Sequence, residues 1–218
     1  MAYHVPKHLA HCRVQGRTAF LDIARNRYFQ LPPDLDTAFQ IVVDERHDAD
    51  HNVSAVDRLI RLGLIEAGSA PRGRSIIEPP VESLRDSEGR TQADLASSLG
   101  AMAAVLRAAR RLRVWSFERL VGWVSARSHA SQTFCDLVRT GQLIGHFETV
   151  RPFAPVEPRC LVDSLALIDF LARRDLYPNL VFGVSLEPFS AHCWLQSGRI
   201  VLNDSLDNAL GHTPILVL

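Results

Sequence analysis

Pro158-Arg159-Cys160-Leu161-Val162-Asp163-Ser164-Leu165-Ala166-Leu167 sets a thiol just behind a proline, at the head of an apolar run. Leu161, Leu165, Ile168, Leu171 and Ala172 recur at helical spacing. The pattern predicts a helix that begins at or near Cys160, with Pro158 at its entry. A sulfur in that place feels the positive end of the helix dipole, which favours the thiolate. Free backbone N–H groups of the first turn can also hold an oxyanion. By itself the position reads equally well as a small buried apolar residue, so the partners decide.

Two candidate partners lie downstream. His192, in Ala191-His192-Cys193-Trp194, follows Cys160 by 32 residues, and Asp204, in Leu202-Asn203-Asp204, follows a further 12 on. A sulfur nucleophile needs a base for its proton, and the base needs a third group to fix its tautomer. His192–Gln196 and Arg199–Asn203 read as the arms of a hairpin around Ser197-Gly198, after a strand at Leu180–Val184. A register centred on Gly198 sets positions 192 and 204 opposite each other, within cross-strand reach. A one-residue slip would pair His192 with Asn203 and turn Asp204 away, so the expectation requires a bulge or a three-residue loop.

Zinc is the competing reading of Cys160, His192, Cys193 and Asp204. It fits poorly, because neighbouring strand residues point to opposite faces and no CxxC or HxxxH spacing supplies the remaining ligands. No metal and no cofactor are therefore expected, and Cys193 is expected to pack in the sheet core, facing away from the thiol. His146 lies just upstream of this block, but a surface or core role is favoured for it. The other histidines (His4, His8, His11, His47, His51, His129 and His212) suggest no partner, and Cys12 and Cys135 read as structural.

Working towards the N-terminus, Leu95, Leu99, Met102, Leu106, Ala109 and Leu112 keep helical spacing and read as a core-packing stripe. Helices are also expected over 117–126 and 132–140. Residues 68–92 are rich in Gly, Pro, Ser and charge, the composition of a connection. Before it, strands are expected at 9–14, 18–23 and 27–31, then helices from Asp34 to about Val43 and from Ser54 to Leu62, with a polar loop between them. About three short helices complete that unit. The expected organisation is α+β: a module over 1–80, a linker over 81–92 and a second domain over 93–218.

At 218 residues, 47% hydrophobic and 22% charged, the chain has apolar mass for two small cores. Its formal net charge of +0 argues against a general nucleic-acid binder. No apolar run approaches a membrane span, and residues 1–7 lack the pattern of a secretory signal. Four cysteines form no disulfide framework, which fits a reducing cytoplasm where a free thiol can act.

The stretch Val150-Arg-Pro-Phe153, Arg159-Cys-Leu-Val-Asp-Ser-Leu-Ala-Leu167, Phe182-Gly-Val184, Pro188-Phe-Ser-Ala-His-Cys-Trp194 and Gly198-Arg-Ile-Val-Leu-Asn-Asp204 resembles the lasso-peptide maturation proteases of the microcin J25 type. These are papain/transglutaminase-like cysteine peptidases that cut the leader from a ribosomally made precursor. The resemblance implies that Cys160 is the nucleophile, His192 the general base and acid, and Asp204 its orienter. Cys193 departs from it, since an alanine-like residue is more usual there. An ATP-dependent lasso cyclase is the implied partner, closing a ring on the freed amine.

The N-terminal unit independently resembles the winged-helix-like leader-recognition module carried by such proteins. That likeness implies a leader peptide adding as a strand beside Arg27–Leu31, against the helix Ser54–Leu62. Tyr28, Phe29, Arg58 and Arg61 are the implied contacts, although alternation leaves open which of Tyr28 and Phe29 is core. Two other functional classes share these features: an acyltransferase using the same three residues, and a non-catalytic peptide-binding or docking protein.

Overall fold

The computed structural model describes residues 3–43, 53–68, 77–85, 95–128 and 137–218 of a chain of mixed helix and sheet. It divides into two units, Met1–Ser75 and Ile76–Leu218.

The first unit contains β1 (Tyr3–His4), β2 (Leu9–Val14), β3 (Arg17–Asp22), β4 (Arg27–Gln30), α1 (Pro33–Val43), α2 (Val53–Arg61) and β5 (Glu66–Ala67). β2, β3 and β4 form an antiparallel sheet in that order, so β4 is an edge strand. β1 pairs separately with β5. Among the described residues this unit has two helices instead of about three, and the polar loop expected between them lies outside the described residues.

Its core joins the sheet to the helices. Leu9, Phe20, Leu31, Leu35, Phe39, Leu59 and Ile65 are buried together. Phe20 is fully buried, with Phe29 stacked 5.0 Å away and Phe39 edge-on at 4.8 Å. Each such side chain contributes about 1.5–3 kcal/mol by leaving water. Buried Asp36 accepts from the Thr18 N–H at 3.2 Å and from Gln40 Nε2 at 3.1 Å, which fixes α1 on β3.

The second unit contains β6 (Glu82–Ser83), α3 (Leu95–Val114), α4 (Phe117–Ser128), α5 (Leu137–Val150), a 3-10 turn (Arg151–Phe153), α6 (Cys160–Ala172), β7 (Asn179–Leu186), β8 (Phe189–Ser197), β9 (Ile200–Val201), α7 (Leu206–Leu210) and β10 (Thr213–Val217). Its sheet runs β10-β7-β8-β9-β6, antiparallel except for β6 beside β9. β6 falls within the stretch whose composition reads as a connection; residues 86–92 lie outside the described residues.

α6 packs against α3, α5 and β8, which explains why its sequence is apolar nearly all round. Leu165, Leu167, Phe170 and Leu171 are 0–1% exposed. Of the two carboxylates on this helix, Asp169 is buried beneath Arg107 (2.6 Å), Arg111 (3.0 Å) and Arg173 (3.5 Å). Burial alone would raise its carboxyl pKa, but these guanidinium groups lower it on balance.

The buried face of α3 is not the expected one. Ala101, Ala104, Val105 and Ala108 are buried, whereas Leu95, Leu99 and Leu106 are exposed. The reason is steric: α6 presents bulky side chains, so α3 approaches with its small ones. A Cβ built on Gly100 would stand 3.6 Å from the Phe170 ring. The helix expected over 132–140 begins, among the described residues, at Leu137 and runs on to Val150.

Candidate active site

Cys160 is the first residue of α6 and is exposed. Arg159 precedes it in extended conformation, and its side chain does not cap the helix. The first turn closes with the Asp163 N–H on the Arg159 carbonyl at 3.0 Å, so the N–H groups of Cys160, Leu161 and Val162 precede the first intrahelical bond. Arg151 secures the approach to this helix, donating from Nε to Asp163 Oδ1 at 2.5 Å and from Nη1 to the Val156 carbonyl at 2.9 Å.

His192 and Cys193 lie on β8, whose pairing with β9 covers only Gln196 and Ser197. The Leu195 N–H points to the β9 side, onto Asn203 Oδ1 at 2.7 Å. Two residues earlier, the Cys193 N–H must point the same way, towards a stretch of strand edge that β9 does not cover. Cys160 stands near that edge, where Cys193 and His192 both act on its thiol to lower its pKa. This corrects the expectation that Cys193 faces away. A group arriving at a strand edge touches neighbours from both faces, so strict alternation does not separate them. Cys193 is 3% exposed.

Asp204 reaches His192 by a route other than the expected register. The hairpin pairs Gln196 with Val201 and Ser197 with Ile200, leaving a two-residue loop with Gly198 at φ +56°. Glycine suits that first loop position because a Cβ would be strained there. No bulge or third loop residue is present to set 192 opposite 204. Instead β9 ends at Val201, the chain bends over 202–204, and Asp204 turns back from outside the ladder to accept the His192 Nε2–H. Nδ1 is thereby left for Cys160.

Several side chains hold that bend. Asn203 stands in for a ladder residue, accepting from the Leu195 N–H and donating to Ser164 Oγ at 3.0 Å. Ser83 on β6 donates to the Asp204 carbonyl at 2.5 Å. The Asp204 carboxylate takes the Ser205 N–H at 2.8 Å and Asn208 Nδ2 at 2.9 and 3.2 Å. Asn208 is the second residue placed on both partners, since its Nδ2 lies 3.1 Å from His192 Nε2. Sequence reasoning missed Ser83, Ser164, Asn203 and Asn208; the Asn203-Asp204-Ser205 cluster, a turn and N-cap composition, was the available signal for a bend.

Beneath His192 lies Trp194, its ring stacked at 6.2 Å, and beside it His212 at 5.3 Å. His212 Nδ1 donates to the Asn208 carbonyl at 2.8 Å, which leaves Nε2 to accept from Ser190 Oγ at 3.0 Å. Gly183, opposite His192 on β7, makes room for both rings: a Cβ there would stand 2.8 Å from Trp194 and 2.9 Å from His212.

The electrostatics follow from these contacts. Hydrogen bonds from Cys193 and then His192 lower the Cys160 pKa to about 4, against the opposing effect of burial. Burial works to lower the His192 pKa, but its bonds to Asp204 and Cys160 outweigh this and raise it to about 9. Burial likewise opposes ionisation of Asp204, yet His192 and Asn208 lower its pKa overall. Between these limits the stable form is a thiolate–imidazolium pair. Such a pair supplies a nucleophile and a proton donor at one point in space.

Other expected residues lie elsewhere. Phe29 lines a groove of about 410 Å³ with His8, Arg25, Arg27, Leu31, Leu62 and Leu64. Tyr28, on the adjacent position of β4, does not line it, and neither do Arg58 or Arg61. Arg58 instead stands 3.6 Å from Asp34, and Arg61 bonds the Asp57 carbonyl. His146 is half-buried on α5, and neither ring nitrogen has a hydrogen-bond partner among the described residues. Cys135, His47, His51 and His129 lie outside the described residues. Among those described, no group of three or more His, Cys, Asp or Glu is placed to hold a metal, and no helix is long and apolar enough to cross a membrane.

The family model described as the transglutaminase-like superfamily matches residues 102–217, more than half of the chain and all of the Cys160, His192 and Asp204 cluster. Neither the curated proteins nor the solved structures give a match.

Proposed function

The chain belongs to the transglutaminase-like superfamily, and on that premise we propose that it is a cysteine peptidase that cuts the leader from a ribosomally made lasso-type precursor. One constellation carries the catalytic reading. The exposed Cys160 sits at an uncapped helix N-terminus, near enough for His192 to lower its pKa, and Asp204 fixes Nε2 of that ring.

The Cys160 thiolate attacks the carbonyl at the leader–core junction. The first-turn N–H groups of α6 face the charge that develops on oxygen. His192, as imidazolium, gives its proton to the leaving amine, which becomes the free N-terminus of the core. Water then attacks the thioester, His192 takes its proton, and the carboxylate product leaves Cys160 free. Asp204 keeps the ring in the tautomer that presents Nδ1 to sulfur and stabilises its charged form.

The leader reading rests on the first unit. β4 ends its sheet, and the groove beside it is lined by Phe29, Leu31, Leu62 and Leu64 together with Asp22, Arg25 and Arg27. A peptide strand added at β4 would draw affinity from the main chain and selectivity from that groove. Tethering the leader raises the effective concentration of the scissile bond at Cys160, so the catalytic unit needs no deep specificity pocket of its own. The freed amine would pass to an ATP-dependent cyclase, the partner this role requires, in the reducing cytoplasm that keeps Cys160 a thiol.

The test is incubation of the precursor peptide encoded beside this protein's gene with wild type and with Cys160→Ala, followed by product masses. One cut, made by wild type alone and with water added, supports a leader peptidase. An amine adduct in place of water would make the protein an acyltransferase. Tight leader binding with no cut by either protein would leave a docking role.

A further inference from the structure

Ala109 and Leu112 end the apolar stripe of α3, yet neither belongs to its buried face, which is formed by Ala101, Ala104, Val105 and Ala108. They line one wall of a cleft of about 490 Å³ instead. Val156, in the loop before α6, and Leu161 and Val162, in its first turn, line it as well. Arg159 and Leu161, the residues on either side of Cys160, both belong to it. Consecutive Cα atoms lie about 3.8 Å apart, so the cleft opens within one residue of the nucleophile.

We propose that this cleft is a subsite on the acyl side of the scissile bond, which takes a bulky apolar side chain from the last two leader residues. The assignment rests on the reading of Cys160 as a peptidase nucleophile, and it adds what selects the bond that is cut. Tethering the leader raises the concentration of every bond near its end alike. A cleft beside the sulfur admits one side chain, and with it one bond.

The neighbours of α6 decide the side. The helix packs on α3 and on β8, and the base comes from β8. His192 protonates the leaving amine, so the core side of the bond lies towards β8. The acyl side is then left for the part of the helix head that faces α3, where the cleft is. Its lining selects for apolar bulk. Ala109 is the smallest of the aliphatic side chains there and leaves room for an incoming one. Glu157 and Arg159 pair at 2.6 Å, which offsets both charges, while Arg113 opposes a basic side chain. The volume falls within the roughly 300–1,000 Å³ of small-ligand sites, enough for a side chain and the backbone that carries it.

The experiment is labelling of Cys160 in the full chain by N-acetyl dipeptidyl chloromethyl ketones. These place their side chains on the acyl side and alkylate the sulfur with loss of chloride. Each position is varied in turn through Ala, Leu, Phe, Asp and Lys, and rates are divided by those with a small free thiol. At one position Leu or Phe should react at least about tenfold faster than Ala, with Lys slowest. Ala109→Trp, which fills the cleft, should erase that preference while iodoacetamide alkylates Cys160 at the wild-type rate. Val156→Asp, in the loop, should lose it too and serves if the first variant does not fold. Equal rates for Ala, Leu and Phe at both positions overturn the proposal, as does a preference that survives these substitutions. The reagents contain no leader, so this result is separate from the precursor test. Failure of iodoacetamide to label wild-type Cys160 would overturn the peptidase reading itself, and the subsite with it.

Discussion

Asp204 holds His192 from outside the β-ladder. The carboxylate comes from a bend just past β9, and it is fixed there from three directions: Ser83 on its carbonyl, and the Ser205 N–H and Asn208 on its carboxylate oxygens. The ring so oriented gives Nε2–H to Asp204 and faces Cys160 with Nδ1. Orientation of the base is therefore a property of the bend, and substitutions that loosen the bend should act through His192.

The thiolate should survive far into acid. Because the Cys160 pKa is lowered to about 4, iodoacetamide alkylation should fall off only as pH drops through that value, not near the ordinary 9.0. The His192 pKa is raised to about 9, so the proton donor is lost as pH rises through it. The expected kcat/KM profile is a bell whose limbs lie near 4 and 9 and belong to the coupled pair. An alkylation midpoint near 9 would contradict the contact between these residues.

Removing Asp204 should lower the basic limb. The Asp204→Ala variant loses the bond and the charge that raise the His192 pKa, so the ring deprotonates at lower pH and turnover falls by about 10²–10⁴. Asn208→Ala should shift the same limb the same way but by less. It removes the amide that donates to both carboxylate oxygens of Asp204, for a loss of roughly tenfold, or about 1.4 kcal/mol. A pH–rate profile of each variant checks both; an unshifted limb in Asn208→Ala would leave that residue a purely structural role.

Gly183→Ala should disturb the site from beneath. Its new methyl would overlap the Trp194 ring and His212, both of which flank His192. Overpacking of this kind costs about 1–3 kcal/mol, measurable as a shift of the denaturation midpoint, and turnover should fall with it. Wild-type stability in this variant would mean the rings move aside freely.

The groove beside β4 gives a prediction for leader binding alone. Leu62 lines it and is 56% exposed, so Leu62→Glu should leave the first unit folded. KM for a full precursor should rise at least tenfold, since the apolar contact is replaced by a charge (about 1.4 kcal/mol or more). Alkylation of Cys160 should be unchanged. Equal KM values would place the leader elsewhere.

Local pattern made part of this legible. Pro158 and the apolar run after Cys160 located the head of α6, and short apolar, aromatic-rich runs bounded by polar turns located β2, β3 and β4 to within a residue or two. Long-range packing hid the rest. Ser83 supports Asp204 from 121 residues away, and no local pattern announces that pairing. The buried face of α3 was misread because its leucines suggested the core, while the bulk of α6 admits only alanine and valine. Cys193 was misread because period-two alternation describes a sheet's faces and says nothing about what meets its edge. The hairpin register was misjudged as well, since a bend past β9 replaced the bulge that alternation demanded.

The central claim is that Cys160 cuts a leader from its core with His192 as proton carrier. The most direct measurement is the mass spectrum of the neighbouring precursor peptide after incubation with wild type and with Cys160→Ala. Two fragments from one bond, their masses summing to the precursor plus one water, are expected from wild type only. Processing by Cys160→Ala at the wild-type rate would contradict it.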